Sequence, residues 1–229
     1  MSVTNFTFDL PTRIIFGAGA VDAVGDEAVR CGTRAMLVTG SAFARKSGLI
    51  TRLQDSLAAA GVEVTLYESP ERHPSISGID AAGKAAREAG VEFVVGFGGG
   101  RTLDMAKAIA VAAHGGRPIW EYTRLSPAQL PIDGALPLIL IPIIASTGSE
   151  TNSTAVVYNA TLGIQAPISS DHLAARAAIV DPTLTFTVPA QYTAVGAINI
   201  ISQMLEAYVT SDEFAVTDRV TEGLVRVVM

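Results

Sequence analysis

Short apolar runs alternate with helically spaced apolar positions through the first half of the chain. Arg13-Ile14-Ile15-Phe16 predicts a strand closed by the Gly17-Ala18-Gly19 turn. Residues 35–39 predict a second strand ending at Gly40, and residues 49–60 have the apolar spacing of a helix stopped by Gly61. Residues 62–66 read as a strand, 79–89 as a helix stopped by Gly90, and 91–97 as a strand. Residues 135–143 are dense in Leu and Ile, as a strand covered on both faces should be. Strand and helix alternating in this way predict an α/β fold with a doubly wound parallel sheet.

After Pro189 the pattern changes. Residues 194–209 and 214–228 read as consecutive helices with no strand between them. The change places an α/β dinucleotide-binding domain at residues 1–184 and the first helices of an all-α domain at 185–229. The last helix reaches Val227-Val228-Met229 without a Gly or Asn cap, so the chain is expected to stop inside that second domain.

Composition narrows the function classes. Of 229 residues, 49% are hydrophobic and 17% charged, enough apolar material for a large core. Sixteen basic against 22 acidic residues give a net charge of −6, which offers no footprint for a nucleic-acid backbone. The single cysteine, Cys31, cannot close an intrachain disulfide and fits a reducing, cytoplasmic compartment. No secretory signal is read at the N-terminus, and the longest apolar stretch, 135–145, is too short for a bilayer span and carries Pro137 and Pro142. A mean hydropathy of +0.38 is high for a domain that stands alone, and helix faces made to pack on further chain would explain it.

Three segments carry candidate chemistry. In Gly96-Phe97-Gly98-Gly99-Gly100-Arg101-Thr102-Leu103-Asp104-Met105-Ala106-Lys107 a hydrophobic strand runs into three glycines and then a helix. Glycines let the backbone approach a ligand closely, and the new helix offers free N–H groups and a positive dipole end. The arrangement suits a phosphate or pyrophosphate, although a tight structural turn would look the same. The spacing is neither G-x-G-x-x-G nor the Walker pattern. Downstream, Ser146, Thr147 and Ser149 offer hydroxyls, and Thr147 and Glu150 have the spacing of a capping box, which predicts a helix start there. Finally, Asn199, Gln203 and Glu206 stand at i, i+4 and i+7, a polar stripe on an otherwise apolar helix. A core hydrogen-bond network, a ligand contact or the remains of a metal site would each account for it.

In this order and spacing, with Val180-Asp181-Pro182 between the second and third, the segments resemble the iron-containing (group III) alcohol dehydrogenase family. The family pattern is G-G-G-S-x-x-D-x-A-K, P-T-T-x-G-T-G-S-E, D-P, then G-x-D-A-x-x-H-x-x-E-x-Y. The likeness runs from about Thr12 to the last residue. It implies alcohol/aldehyde interconversion by hydride transfer to or from NAD or NADP, with a divalent metal, usually iron or zinc, between the two domains. The resemblance places Gly99, Gly100 and Arg101 at the pyrophosphate turn, with Arg101 where the family commonly has Ser. It places Asp104 and Lys107 at the motif's acid and base, as structural partners or ligand contacts. Ser146 and Thr147 fall in the stretch that meets the nicotinamide end. Gly40 stands where NAD-preferring relatives often carry Asp; with Ser41 it leaves room for a 2′-phosphate, so NADP is plausible and NAD remains open.

The departures fall in the chemical centre. The family's Thr-Thr pair is Ile143-Ile144, and its metal-binding Asp and His correspond to Asn199 and Gln203. Neutral amides are weak ligands for iron or zinc, so little or no turnover is expected of this chain. The competing expectation is a noncatalytic dinucleotide-binding relative with a regulatory or structural role. Glycerol dehydrogenases and dehydroquinate synthase relatives are weaker alternatives. A small alcohol or aldehyde as substrate and a homodimer are further implications of the family alone.

Overall fold

A computed structural model describes residues 9–40, 48–69, 73–209 and 215–229. Its centre is a six-stranded sheet in which every pairing is parallel. The strands are β1 (Arg13–Phe16), β2 (Arg34–Thr39), β3 (Glu63–Glu68), β4 (Phe93–Gly98), β5 (Leu138–Pro142) and β8 (Ala177–Val180). Their order across the sheet is β1-β8-β5-β4-β2-β3. The helices α1 (Val24–Ala28), α2 (Leu49–Ala59), α3 (Ile76–Glu88) and α4 (Gly100–Gly115) alternate with them in sequence.

The period-two alternation of the strands sorts their side chains into two cores. Met36, Val38, Val94, Leu138 and Leu140 point to one face with α3 and α4, whereas Ala35, Leu37, Phe93, Val95, Phe97, Ile139 and Ile141 point to the other with α1 and α2. Burial on both sides explains why β4 and β5 read as continuous apolar runs. Two cores require helices on both faces, so the doubly wound arrangement follows directly from this alternation. Helix α3 lies close against α4, and Gly83 marks the contact: a Cβ there would come within 2.7 Å of Ala112 Cβ.

Several boundaries differ from the sequence reading, and each has a local cause. Helix α3 starts three residues early because Ser75 accepts a hydrogen bond from Gly78 N at 3.1 Å and caps it. The strand expected over 135–143 narrows to Leu138–Pro142. Strand β8 and an antiparallel pair, β6 (Thr154–Asn159) and β7 (Ile164–Ser169), are additional. No helix begins at residues 147–150, where turns and bends run to residue 153. Thr147 Oγ1 still accepts from Ser149 N at 3.3 Å, so the hydroxyl caps a turn rather than a helix.

After β8 only helical structure follows among the described residues. A short 3-10 turn, Pro182–Thr185, leads to α5 (Ala190–Tyr208), with Pro189 as its N-cap, and to α6 (Ala215–Val228). Asp181 fastens this exit to the start of the sheet. Its Oδ1 accepts from Thr183 N (3.0 Å) and Thr183 Oγ1 (2.7 Å), and its Oδ2 accepts from Val21 N (3.3 Å) beyond β1. Burial pushes this carboxyl's pKa up, but the hydrogen bonds from Thr183, Val21 and Gly19 outweigh it and hold the pKa below the usual value.

Asp181→Ala should therefore cost about 2 kcal/mol at neutral pH. With the folded pKa depressed, that contribution is full above the unfolded carboxyl value and fades as pH falls through the folded one. Urea unfolding of both proteins at pH 7 and near pH 3 checks this. A stability gap that is unchanged at the lower pH would count against the ionised carboxylate as the anchor.

Candidate functional site

The glycine turn lies at the carboxyl end of β4, where open α/β sheets bind their ligands. Gly99 is the N-cap of α4 in extended conformation, and its carbonyl accepts from Thr102 N and Leu103 N. Gly100 faces Thr147 so closely that a Cβ would overlap the threonine side chain. The third glycine is thus required by the loop after β5, independently of any ligand. By contrast, a Cβ at Gly99 would meet only Ile144 Cγ2, at 3.4 Å, leaving that face of the turn open. Gly40, at the end of β2, backs onto Thr102 Oγ1 from the first turn of α4. Ser41 lies outside the described residues.

Two charged residues of α4 hold the neighbouring loop and hairpin against this turn. Asp104 accepts from Ser149 Oγ through Oδ1 (2.7 Å) and from Val156 N through Oδ2 (3.1 Å). Burial raises its pKa, opposed by these two hydrogen bonds and by Lys107. Lys107 is fully buried, and its ammonium donates to Asn152 O (2.7 Å), Asn152 Oδ1 (2.9 Å) and Thr154 O (2.9 Å). Both oxygens of Asp104 and all three protons of Lys107 are engaged within the protein. These two residues position the site through the segments they clamp.

Beside the turn lies a cleft of about 190 Å³, whose lining includes Gly100, Arg101, Asp104, Thr147, His73 and Tyr158. The His73 ring stands 5.3 Å from that of Tyr158, and His73 Nδ1 is buried without a hydrogen-bond partner. An orphaned nitrogen at a cleft wall is costly unless something else satisfies it. His73, Tyr158 and the β6–β7 hairpin were missed by the motif reading. Their available signal was the alternation Ala155, Val157, Asn159 followed by a Gly163 turn. A larger cleft, of about 470 Å³, runs between residues 122–132 and the same hairpin and takes no residue from the glycine turn.

On the polar stripe of α5, Asn199 Nδ2 donates to Ser146 Oγ (3.1 Å) and Ser146 O (3.3 Å). A backbone carbonyl can only accept, so the amide nitrogen must face the loop. Three residues earlier, Gly196 lets the helix backbone close on Ala145, whose carbonyl oxygen would lie 2.6 Å from a Cβ. Gln203 and Glu206 are exposed. Gly99, Gly100, Arg101, Asp104 and Thr147 are thus gathered around one turn, Ser146 is tied to Asn199, and Gln203 stands on the solvent side of α5.

A family model described as iron-containing alcohol dehydrogenase matches residues 11–182. The chain belongs to that family. It is 31% identical over 223 residues to the NADPH-dependent aldehyde reductase YqhD of Escherichia coli, covering 97% of this chain and 57% of that protein. Among solved structures it superposes on NADH-dependent butanol dehydrogenase A from Thermotoga maritima with a TM-score of 0.92 at 32% identity, covering 98% of this chain and 56% of that one. Sulfoacetaldehyde reductase from Bifidobacterium kashiwanohense, solved with NAD⁺, gives 0.88 at 30%, covering 99% and 59%. The chain spans a little over half the length of these relatives.

As a member of the iron-containing alcohol dehydrogenases, the chain can be tested for a divalent metal at the positions its motif provides. Asn199 presents N–H groups to Ser146 and brings no negative charge, and Gln203 is a neutral, exposed amide. Among the described residues, no group of three or more His, Cys, Asp or Glu stands together. The residues present do not fit iron or zinc. No helix among the described residues is long and apolar enough to cross a membrane.

Proposed function

We propose that this chain is the dinucleotide-binding part of an NAD(P)-dependent alcohol or aldehyde oxidoreductase, acting on a small alcohol or aldehyde in the cytoplasm. The α/β body to residue 184 is the nucleotide-binding domain on this reading, and residues 185–229 open the helical one. The observation that carries it is the open face of Gly99 at the start of α4, beside a cleft holding an unsatisfied His73 Nδ1.

Gly99, Gly100 and Arg101 take the pyrophosphate on the helix N-terminus, where backbone N–H groups and the dipole favour an anion. Ser146 and Thr147 border the nicotinamide end, and Gly40 borders the adenosine ribose, where the absence of an acidic side chain at the end of β2 accommodates NADP as well as NAD; Ser41, the next residue in sequence, is likewise uncharged. When bound, the nicotinamide supplies the hydride acceptor or donor. Asp104 and Lys107 fix the loop that Thr147 belongs to. The amides at Asn199 and Gln203 support a second element of the proposal: turnover by this chain is impaired, and its retained property is cofactor binding.

NADPH and NADH fluorescence titration tests the binding. Gly99→Ala should leave the fold intact, because its Cβ meets only Ile144 at contact distance, yet weaken cofactor affinity about tenfold by obstructing close approach to the helix N-terminus. If neither cofactor binds the parent protein, or Gly99→Ala binds equally well, the reading fails. A parallel assay adds Fe²⁺ or Zn²⁺ with short primary alcohols. Metal-dependent cofactor reduction would overturn the impairment while leaving the binding site in place.

A further inference from the structure

At the opposite, amino end of the sheet lies a further cavity, of about 310 Å³. Arg13 opens β1 there, Arg176 immediately precedes β8, and Glu27, Arg30 and Cys31 come from the end of α1 and the turn after it. Pro137, Ile139 and Ala177 form an apolar wall. Three guanidiniums face one carboxylate, leaving two positive charges in excess in a chain of net charge −6.

The one carboxylate is already committed. Glu27 is buried and pairs with Arg13 at 3.0 Å and with Arg30 at 3.8 Å, which holds both guanidiniums toward the cavity. Among the described residues no carboxylate lies within ion-pair distance of Arg176. A neighbouring cleft of about 200 Å³ shares Pro137 and Arg176 with the cavity and is flanked by Asp171 and His172. Among the described residues neither forms an ion pair, and Asp171 carries the only carboxylate lining that cleft. Burial raises the Cys31 pKa, which keeps the sulfur an uncharged part of the wall at neutral pH.

We propose that this cavity binds a small dianion, with Arg176 as its principal contact and Arg13 and Arg30 completing the charge. Guanidinium forks match carboxylate and phosphate geometry, and two uncompensated positive charges match a divalent ligand. The apolar wall accommodates a short carbon body between or beside the anionic groups. The site is separated from the glycine turn by the length of the strands, roughly 15–20 Å, and does not depend on the cofactor reading.

Succinate and inorganic phosphate, each titrated at pH 7.5 and low chloride, test it by calorimetry. Cys31 is the only cysteine, so its alkylation by iodoacetamide reports on this cavity alone. At least one of the two dianions should bind with unit stoichiometry and slow Cys31 alkylation. Arg176→Gln, which breaks no ion pair, should weaken that binding about tenfold and leave NADPH affinity unchanged. Protection by succinate alone assigns a dicarboxylate ligand, and protection by phosphate alone assigns a phosphate. The proposal is overturned by no protection in the parent protein, by equal binding to Arg176→Gln, or by protection that NADPH abolishes.

Discussion

Replacing Lys107 by Met should destabilise the protein by about 3 kcal/mol or more. The ammonium is fully buried and spends its three protons on Asn152 O, Asn152 Oδ1 and Thr154 O. Met has nearly the same reach and no donor, so Asn152 O and Thr154 O lose the ammonium at roughly 1–3 kcal/mol each before relaxation, and Asn152 Oδ1 keeps only Thr154 N. Against a total stability of about 5–15 kcal/mol this is a large fraction. The loss should be local at first. Residues 152–154 and the start of β6 lose protection in hydrogen exchange before the sheet does.

The same residue predicts a pH dependence. Burial pushes the Lys107 ammonium down to about 8 from its usual 10.5, against the opposing charges of Asp104 and Glu150. Between those values the unfolded chain holds the proton and the folded protein has released it. Unfolding then takes up a proton, so this group's contribution to stability rises with pH across the window and is flat below it. Urea unfolding at pH 7.5 and 9.5 should show the gap between parent and Lys107→Met widening at the higher pH. A gap that narrows would mean the ammonium is not carrying a burial cost.

Phe97→Ala should be comparably damaging, at about 3–5 kcal/mol, which in a domain of this size lowers Tm by about 10 °C. Phe97 is fully buried at the end of β4 and belongs to the cluster with Leu37, Val95 and Ile141. The next residues are the glycines of the turn, which cannot brace the backbone with side chains of their own. The void opens directly beneath the proposed pyrophosphate site, so cofactor affinity should fall along with stability. Phe97→Leu keeps most of the volume and should cost only about 1–2 kcal/mol. Thermal unfolding with and without NADPH separates the two effects. A loss under 1 kcal/mol in the alanine variant would show that β4 is not held by this packing.

The parallel sheet was legible because β2, β4 and β5 are buried on both faces and therefore carry unbroken apolar runs. Strand β8 escaped because Ala177 and Ala178 give a short strand little hydrophobic contrast. The hairpin escaped for a different reason. Its alternation, Ala155-Val156-Val157-Tyr158, places apolar residues on the outward face too, which blurs the period of two. At Thr147-Gly148-Ser149-Glu150 the capping spacing was present, but Thr147 Oγ1 accepts from Ser149 N within a turn, and Ser149 Oγ donates to Asp104, 45 residues away, so the segment is set by a tertiary contact the spacing does not show. The glycine turn was readable as a backbone feature. The separate demands on Gly99 and Gly100 were not, because only the fold brings Ile144 and Thr147 against them.

The sheet's edge sets an order on synthesis. Strand β1 pairs only with β8, Arg13 opposite Ala177 through Phe16 opposite Val180. About 160 residues separate the partners, so at roughly 5–20 residues per second the first strand made waits about 10–30 s for its neighbour to leave the ribosome. During that interval its backbone donors have no ladder, and Phe16, 72% exposed even with β8 paired, gains no cover from the sheet. The nascent chain can complete β2, β3, β4 and β5 around α4 first and add β1 last. Arrested nascent chains should accordingly bind NADPH only after the residue 147 loop emerges, and should remain sensitive to proteolysis near residue 16 until β8 follows.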